Sequence, residues 1–252
     1  MNATAGSLAA RGIGVGDVVG LLAPNSSLFA VSFHGILRAG ATVTTVNALF
    51  TAPDIAKQLT DANATMLITV SALLPQAQEA AWTVGIAPER LIVLDGDGDA
   101  ATGHPNADDL LAHNAPAPRV DFDPATHLAV LPYSSGTTGN PKGVMLTHQN
   151  LVANMAQIRP LFAMRSDDKV LAVLPFFHIY GLTVLLNAAL QERATLVVMP
   201  RFDLTAFLGT IQEHRITYGF IAPPVAVALT QAVPSGARSG GDWPLVVDRP
   251  VC

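Results

Sequence analysis

The chain of 252 residues is long enough to bury a sizeable core, in one large domain or two small ones. Half of its residues are hydrophobic and only 13% are charged, which excludes an intrinsically disordered polypeptide. The net charge of -5 comes from 14 basic and 19 acidic residues without a basic block, so the composition argues against a nucleic-acid-binding protein.

The first elements alternate between short apolar strands and amphipathic helices. Val18 to Ala23 predicts a buried strand, and Asn25 is placed to cap the helix that follows. Gly40 is expected to end this helix, because glycine adopts the left-handed conformation of a helix C-cap without a steric penalty. The helix presents one apolar stripe, formed by Phe29, Phe33, Ile36 and Leu37.

The same alternation continues beyond this helix. Ala41 to Val46 predicts a second strand, and the next helix begins at Thr51 with Pro53 in its first turn. Met66 to Val70 and Leu91 to Leu94 predict two more strands. Elements in this order predict an α/β fold, in which layered and largely parallel sheets carry flanking helices.

A run of small and polar residues, SSGTTGNPKGVMLTH, extends from Ser134 to His148 after the apolar segment Leu128 to Pro132. Glycines let the backbone curl so that N–H groups converge on an anion, hydroxyls add further donors, and Lys142 supplies a mobile charge. This composition predicts a phosphate-binding loop. It is not a Walker loop, because Pro141 stands where that pattern requires glycine and Gly143 follows the lysine.

The segments before and after this loop predict a surface connection, a short strand and a helix. Asp95 to Asp121 is rich in Asp, Pro, Gly and Ala and predicts a long surface connection. Gly143 to Leu146 predicts a short strand, and Thr147 is placed to cap the next helix. The apolar face of that helix is formed by Leu151, Met155 and Ile158.

The run from Ser134 to His148 resembles the phosphate-binding signature of the AMP-forming adenylating superfamily, which includes acyl-CoA synthetases, coumarate–CoA ligases, luciferases and peptide-synthetase adenylation domains. The resemblance implies that this loop binds the phosphates of ATP. It also implies catalytic roles for Lys142 and Thr138. The implied phosphate-binding residues are Ser134, Ser135, Gly136, Thr137, Thr138, Gly139 and Lys142.

Two further segments resemble the same superfamily, most closely its coumarate–CoA ligases. Leu174 to Leu182, LPFFHIYGL, resembles the motif beside the acyl pocket and implies that His178 and Tyr180 line the acyl site. Met199 to Asp203 resembles the segment where a basic residue meets CoA, and implies that Arg201 faces CoA. The alternatives are a core histidine and a solvated surface arginine.

The reaction that the resemblance implies has two steps. A carboxylic acid attacks the α-phosphate of ATP to give an acyl-adenylate and pyrophosphate, and the thiol of CoA then displaces AMP. Magnesium is expected to arrive with the nucleotide, and no metal site of the protein's own is expected, since the seven histidines include no i, i+4 pair. The competing hypothesis is a non-catalytic nucleotide-binding protein.

The resemblance extends over roughly residues 7 to 232. Related enzymes continue with Tyr-Gly-x-Thr-Glu and Thr-Gly-Asp motifs and with a C-terminal lid domain that delivers a catalytic lysine. None of these has a counterpart here, and the only lysines are Lys57, Lys142 and Lys169. We therefore expect residues 1–233 to form part of the large adenylation domain, residues 234–252 to be an unrelated tail such as a shifted reading frame produces, and the fragment to be inactive.

Two expectations concern the location of the protein. Val170 to Leu190 contains no Lys, Arg, Asp or Glu and is long enough to cross a bilayer. Because Pro175, Gly181 and Asn187 interrupt it, we expect no stable membrane insertion. The single cysteine, Cys252, has no partner for an internal disulfide, which favours the cytoplasm.

Overall fold

The computed structural model describes residues 1–96, 103–112, 115–134 and 141–231. The strands are β1 (Val18–Leu21), β2 (Thr42–Thr45), β3 (Ala64–Thr69), β4 (Leu91–Val93), β5 (Leu128–Val130), β6 (Tyr133–Ser134), β7 (Lys142–Gly143), β8 (Leu146–Thr147), β9 (Lys169–Ala172), β10 (Thr195–Val198) and β11 (Tyr218–Gly219). The α-helices are α1 (Asn2–Ala10), α2 (Ser27–Ala39), α3 (Ala52–Asp61), α4 (Leu74–Val84), α5 (Ala107–Ala112), α6 (His148–Phe162), α7 (Ala188–Gln191), α8 (Leu204–His214) and α9 (Pro223–Gln231). A π-helix spans Gly181–Asn187, and short 3-10 helices span Ser71–Leu73 and Pro88–Arg90.

The strands form two parallel-rich sheets and a small hairpin. The first sheet has the order β4-β3-β1-β2-β5-β8, and only its β5–β8 pair is antiparallel. The second sheet has the order β10-β9-β11 and is entirely parallel. Strands β6 and β7 pair with each other in antiparallel fashion. Parallel neighbours joined through helices confirm the predicted α/β fold class.

The ends of α2 confirm one prediction and correct another. The helix ends at Gly40, whose φ of 90° is the left-handed conformation that glycine tolerates. Its N-cap is Ser26, whose hydroxyl accepts a hydrogen bond from the backbone N–H of Phe29 at 3.0 Å. The prediction that Asn25 caps this helix is wrong, because the Asn25 side chain is buried and turns toward the second sheet.

The larger of two core clusters lies on the face of the first sheet that α2 covers and continues into the second sheet, whereas a smaller cluster packs α3 and α4 against the first sheet. The predicted stripe of α2 lies against the larger cluster, with Phe29, Phe33 and Ile36 fully buried and Leu37 partly buried. The ring of Phe29 lies 5.7 Å from that of Phe176, which follows β9. Apolar packing therefore joins the two sheets.

The segment after the predicted phosphate loop differs from its prediction. Residues 143–146 are not one strand, because β7 pairs with β6 whereas β8 turns onto the edge strand β5. Val144 and Met145 connect them and are exposed. Thr147 caps α6 as predicted, since its hydroxyl accepts a hydrogen bond from the N–H of Asn150 at 3.2 Å.

The apolar segment from Val170 to Leu190 is divided between β9, a turn, the π-helix and the start of α7. Among the helices of the described residues, none combines the length and the apolar character that crossing a membrane requires. The predicted surface connection after β4 contains the short helix α5.

Candidate active site

Strands β6 and β7 are the two arms of a hairpin, which we call the phosphate hairpin. Ser134 and Lys142 pair across it, and both are exposed. The remaining residues that the sequence predicts to bind phosphate lie outside the described residues. They are Ser135, Gly136, Thr137, Thr138 and Gly139.

The base of the phosphate hairpin is attached to β2. The N–H of Leu131 donates to the carbonyl of Val43 at 2.8 Å, and the Thr44 hydroxyl donates to the carbonyl of Leu131 at 2.9 Å. A third bond, from the N–H of Val144 to the carbonyl of Pro132 at 2.9 Å, joins the two arms. These three hydrogen bonds therefore join the base of the arm that carries Lys142 to the first arm, and the first arm to β2.

Tyr133 attaches the first arm to α3. Its hydroxyl donates a hydrogen bond to the carboxylate of Asp61, the last residue of that helix. Burial, followed by the hydrogen bond to Asp61 and the negative charge of that carboxylate, raises the pKa of the Tyr133 phenol. The phenol is thus a neutral donor at physiological pH.

The second candidate segment follows β9. The N–H of His178 donates to the carbonyl of Pro175 at 3.1 Å, and the N–H of Tyr180 donates to Nδ1 of His178 at 3.2 Å. An acceptor Nδ1 leaves the ring proton of a neutral imidazole on Nε2. Both predicted acyl-site side chains are exposed, so His178 is not a core histidine.

Gly181 lets the chain turn tightly behind this segment. A Cβ at this position would lie 2.1 Å from the carbonyl oxygen of Pro175, so any larger residue would displace backbone. The π-helix begins at Gly181, and the Thr183 hydroxyl in it donates to the carbonyl of Ile179 at 2.8 Å. Wide helical turns of this kind are common at functional sites.

Polar side chains from the first sheet hold the segment in place. The Thr45 hydroxyl donates to the carbonyl of Phe177 at 2.7 Å. The Asn25 amide donates to the carbonyl of Leu174 at 2.9 Å and accepts from the N–H of Phe176 at 2.7 Å. Neighbouring threonines in β2 thus support both candidate segments, since Thr44 holds the hairpin and Thr45 the segment with His178.

The candidate residues follow the carboxyl ends of parallel strands. Strands β1, β2 and β5 end at one edge of the first sheet, where Asn25, Thr45 and the phosphate hairpin lie. In the second sheet, His178 follows β9 and Arg201 follows the adjacent β10. Open α/β sheets bind ligands at the carboxyl ends of their strands.

The described site residues are not joined to one another by polar contacts across the two sheets. Among the described residues, no hydrogen bond or ion pair joins Lys142 to His178, Tyr180 or Arg201. Arg201 is exposed in the loop between β10 and α8. No three His, Cys, Asp or Glu side chains of the described part come together, so this part supplies no metal cage of its own.

Sequence reasoning missed the residues that support the site. Thr44, Thr45 and Gln58 are buried polar residues that carry no motif. The sequence of β2 contained one signal of buried polar support. Its residues, TVTT, are unusually polar for a strand that is buried throughout. Asp61 and Tyr133 carried no signal before the structure joined them.

The sequence matches known proteins over most of its length. A family model described as "AMP-binding enzyme" matches residues 1–244. The 4-coumarate–CoA ligase 5 of Oryza sativa subsp. japonica is 38% identical over 232 residues, covering 90% of this chain and 42% of that protein. The chain therefore spans about two fifths of the length of the curated relatives it matches.

Solved structures share the fold. A long-chain-fatty-acid–CoA ligase, FadD1 from Archaeoglobus fulgidus, matches with a TM-score of 0.83 at 26% identity, over 91% of this chain and 44% of that one. ATP-bound MatB from Rhodopseudomonas palustris matches with a TM-score of 0.77 at 28% identity, with the same coverage. The boundary predicted at residue 233 lies inside the family match and outside the described residues, so it stays a prediction.

Proposed function

Because the chain belongs to the AMP-binding enzyme family, we propose that it carries the phosphate-binding and acyl-binding part of an AMP-forming acid–CoA ligase. The observation that supports this most is the phosphate hairpin, which displays Lys142 at the carboxyl edge of a parallel sheet. Its co-substrates would be ATP, CoA and a carboxylic acid, either aromatic or fatty. A structure of ATP-bound MatB supports a nucleotide site in this fold.

The chemical difficulty of the proposed first step is repulsion between a carboxylate and the phosphates. Lys142 and Ser134 would face the phosphates, and their charge and hydroxyl donor would stabilise negative charge on the departing pyrophosphate. Mg²⁺ would arrive with the nucleotide, where it neutralises phosphate charge. Thr138, which lies outside the described residues, would add a second hydroxyl donor.

The acyl site would lie at the turn after β9. The proton on Nε2 of His178 is available to donate to a carboxylate, because Nδ1 is already engaged by the N–H of Tyr180. Tyr180 lies beside it with 39% of its surface exposed. Arg201, following the neighbouring strand, would face a phosphate of CoA through its planar guanidinium.

A second candidate function is nucleotide binding without turnover. It rests on the same phosphate hairpin, because Lys142 and Ser134 could hold the phosphates of a nucleotide whether or not adenylation follows. For either function the single cysteine, Cys252, fits the reducing cytoplasm.

Two measurements distinguish the two candidate functions. Calorimetric titration with MgATP tests nucleotide binding, and a pyrophosphate-release assay with a panel of aromatic and fatty acids tests adenylation. Acid-dependent release of pyrophosphate would support the ligase function for this chain. Binding without release would support the nucleotide-binding function, and the absence of ATP binding would contradict both.

A further inference from the structure

The C-terminal end of α3 holds the first arm of the phosphate hairpin by a side-chain bond. The Tyr133 hydroxyl donates to Oδ2 of Asp61, which is 72 positions earlier in the chain. Asp61 is the final residue of α3, so the bond fixes the hairpin against a helix rather than against another loop. Tyr133 itself immediately precedes Ser134.

The ring of Tyr133 also covers the second arm. Tyr133 and Gly143 are directly opposite each other in the β6–β7 pair. A Cβ on Gly143 would lie 3.1 Å from Cζ and 3.2 Å from the hydroxyl oxygen of Tyr133, so the ring rests on the glycine backbone. Gly143 is adjacent to Lys142 in the chain, so the ring lies against the arm that carries the lysine.

A second set of hydrogen bonds joins the same face of α3 to the base of the phosphate hairpin. The Gln58 amide donates to the Thr44 hydroxyl at 2.8 Å and to the Thr45 carbonyl at 3.0 Å. The Thr44 hydroxyl in turn donates a hydrogen bond to the carbonyl of Leu131, at the base of the hairpin, at 2.9 Å. Gln58 and Asp61 are three residues apart, which places them side by side on one face of the helix.

We propose that Asp61 and Tyr133 are positioning residues for the phosphate site, which fix the hairpin in the orientation that presents Lys142 to the nucleotide. The inference rests on the proposed function and adds two residues to it. Its physical reason is preorganisation. Arms that are already fixed to α3 and β2 do not lose conformational freedom when phosphate binds, so Lys142 and Ser134 act without that cost.

The variants separate the hydroxyl bond from the packing of the ring. Tyr133→Phe keeps the ring on Gly143 but removes the donor, and Asp61→Ala removes the acceptor. Asp61→Asn retains a side-chain oxygen that can accept the bond. A matched control is Tyr218→Phe, which removes a hydroxyl that donates to the carbonyl of Phe162, next to the second sheet.

The experiment measures the Kd for MgATP by calorimetry and the melting temperature for the full chain and each variant. We expect Kd to rise about threefold to tenfold in Tyr133→Phe and in Asp61→Ala, the range expected for one net hydrogen bond. Asp61→Asn should restore most of the affinity, and the double variant Tyr133→Phe/Asp61→Ala should lose no more than either single one. Tyr218→Phe should leave Kd unchanged, whatever its melting temperature.

Lower melting temperatures with an unchanged Kd in Tyr133→Phe and Asp61→Ala would overturn the inference, since the pair would then serve stability alone. Independent, additive losses in the double variant would also overturn it. Failure of the unsubstituted chain to bind MgATP would instead overturn the proposed function and, with it, this inference.

Discussion

The side-chain oxygen of Asn25 accepts a hydrogen bond from the backbone N–H of Phe176 at 2.7 Å, across 151 positions of sequence. The amide of the same residue donates to the carbonyls of Leu174 and Ala172, at 2.9 and 3.2 Å. Asn25 is only 4% exposed and its three partner residues are also buried, so these hydrogen bonds are shielded from water. One side chain thereby attaches the edge of the first sheet to the segment that leads to His178.

Removing this side chain should destabilise the fold strongly. We expect Asn25→Ala to lower the free energy of unfolding by about 3 kcal/mol, because it leaves buried backbone groups unsatisfied. The control is Ser26→Ala, which removes the neighbouring helix cap and should cost about 1 kcal/mol. Urea denaturation of both variants provides the measurement, and equal losses would contradict the bridging role of Asn25.

Lys142 should contribute directly to nucleotide affinity. Lys142→Ala is expected to raise the Kd for MgATP about tenfold or more, since a charge-assisted contact to phosphate is lost. Arg119→Ala removes one positive charge from another exposed position and serves as the control in the same calorimetric titration. Similar losses in both variants would indicate a general charge effect and remove Lys142 from the site.

His178 should influence the choice of acid more than the binding of ATP. If it borders the acyl pocket, His178→Ala should change the order in which carboxylic acids support pyrophosphate release, whereas the Kd for MgATP stays within about twofold. A uniform loss for every acid, together with a lower melting temperature, would contradict this role.

Two glycines in helices should respond in opposite ways to the same substitution. Gly181→Ala is expected to cost about 1–3 kcal/mol, because the new Cβ would collide with the carbonyl of Pro175. Gly209→Ala, inside α8, meets nothing within 4 Å and should stabilise the protein by about 0.5–1 kcal/mol. Thermal unfolding compares the two, and a tolerated Gly181→Ala would contradict the close approach described for the turn.

Acid should weaken the fold partly through His34. Burial, followed by the positive charge of the N-terminal amine, lowers the pKa of this imidazole, and its Nε2 has no hydrogen-bond partner among the described residues. The unfolded chain takes up the proton near pH 6.5 and the folded chain only at lower pH, so stability is full above about pH 6.5 and falls as the pH drops below it.

The measurement compares the urea midpoint at pH 7.5 and pH 5.5. His34→Leu should show a smaller difference between the two pH values than the unsubstituted chain. Some acid sensitivity should remain, because burial and the nearby charge of His127 also lower the pKa of His148. An undiminished difference in His34→Leu would exclude His34 as a source of the acid sensitivity.

The sequence by itself determined those features whose causes are local. The four early strands and the end of α2 at Gly40 follow from apolar periodicity and from the conformational freedom of glycine. The cap at Thr147 follows from the hydrogen bonds that a hydroxyl makes within one turn. The run from Ser134 to His148 also indicated the family correctly, because a phosphate-binding composition is contained in contiguous residues.

Only the tertiary structure decided how the site is supported. A polar residue just before a helix is indistinguishable from a cap in sequence, so nothing local showed that Asn25 instead bonds to backbone 151 positions away. The separation of residues 142–147 into β7 and β8 depended on which distant strand each short segment met. The bond between Asp61 and Tyr133 is likewise a tertiary feature, because the fold brings together two groups that lie 72 positions apart in sequence.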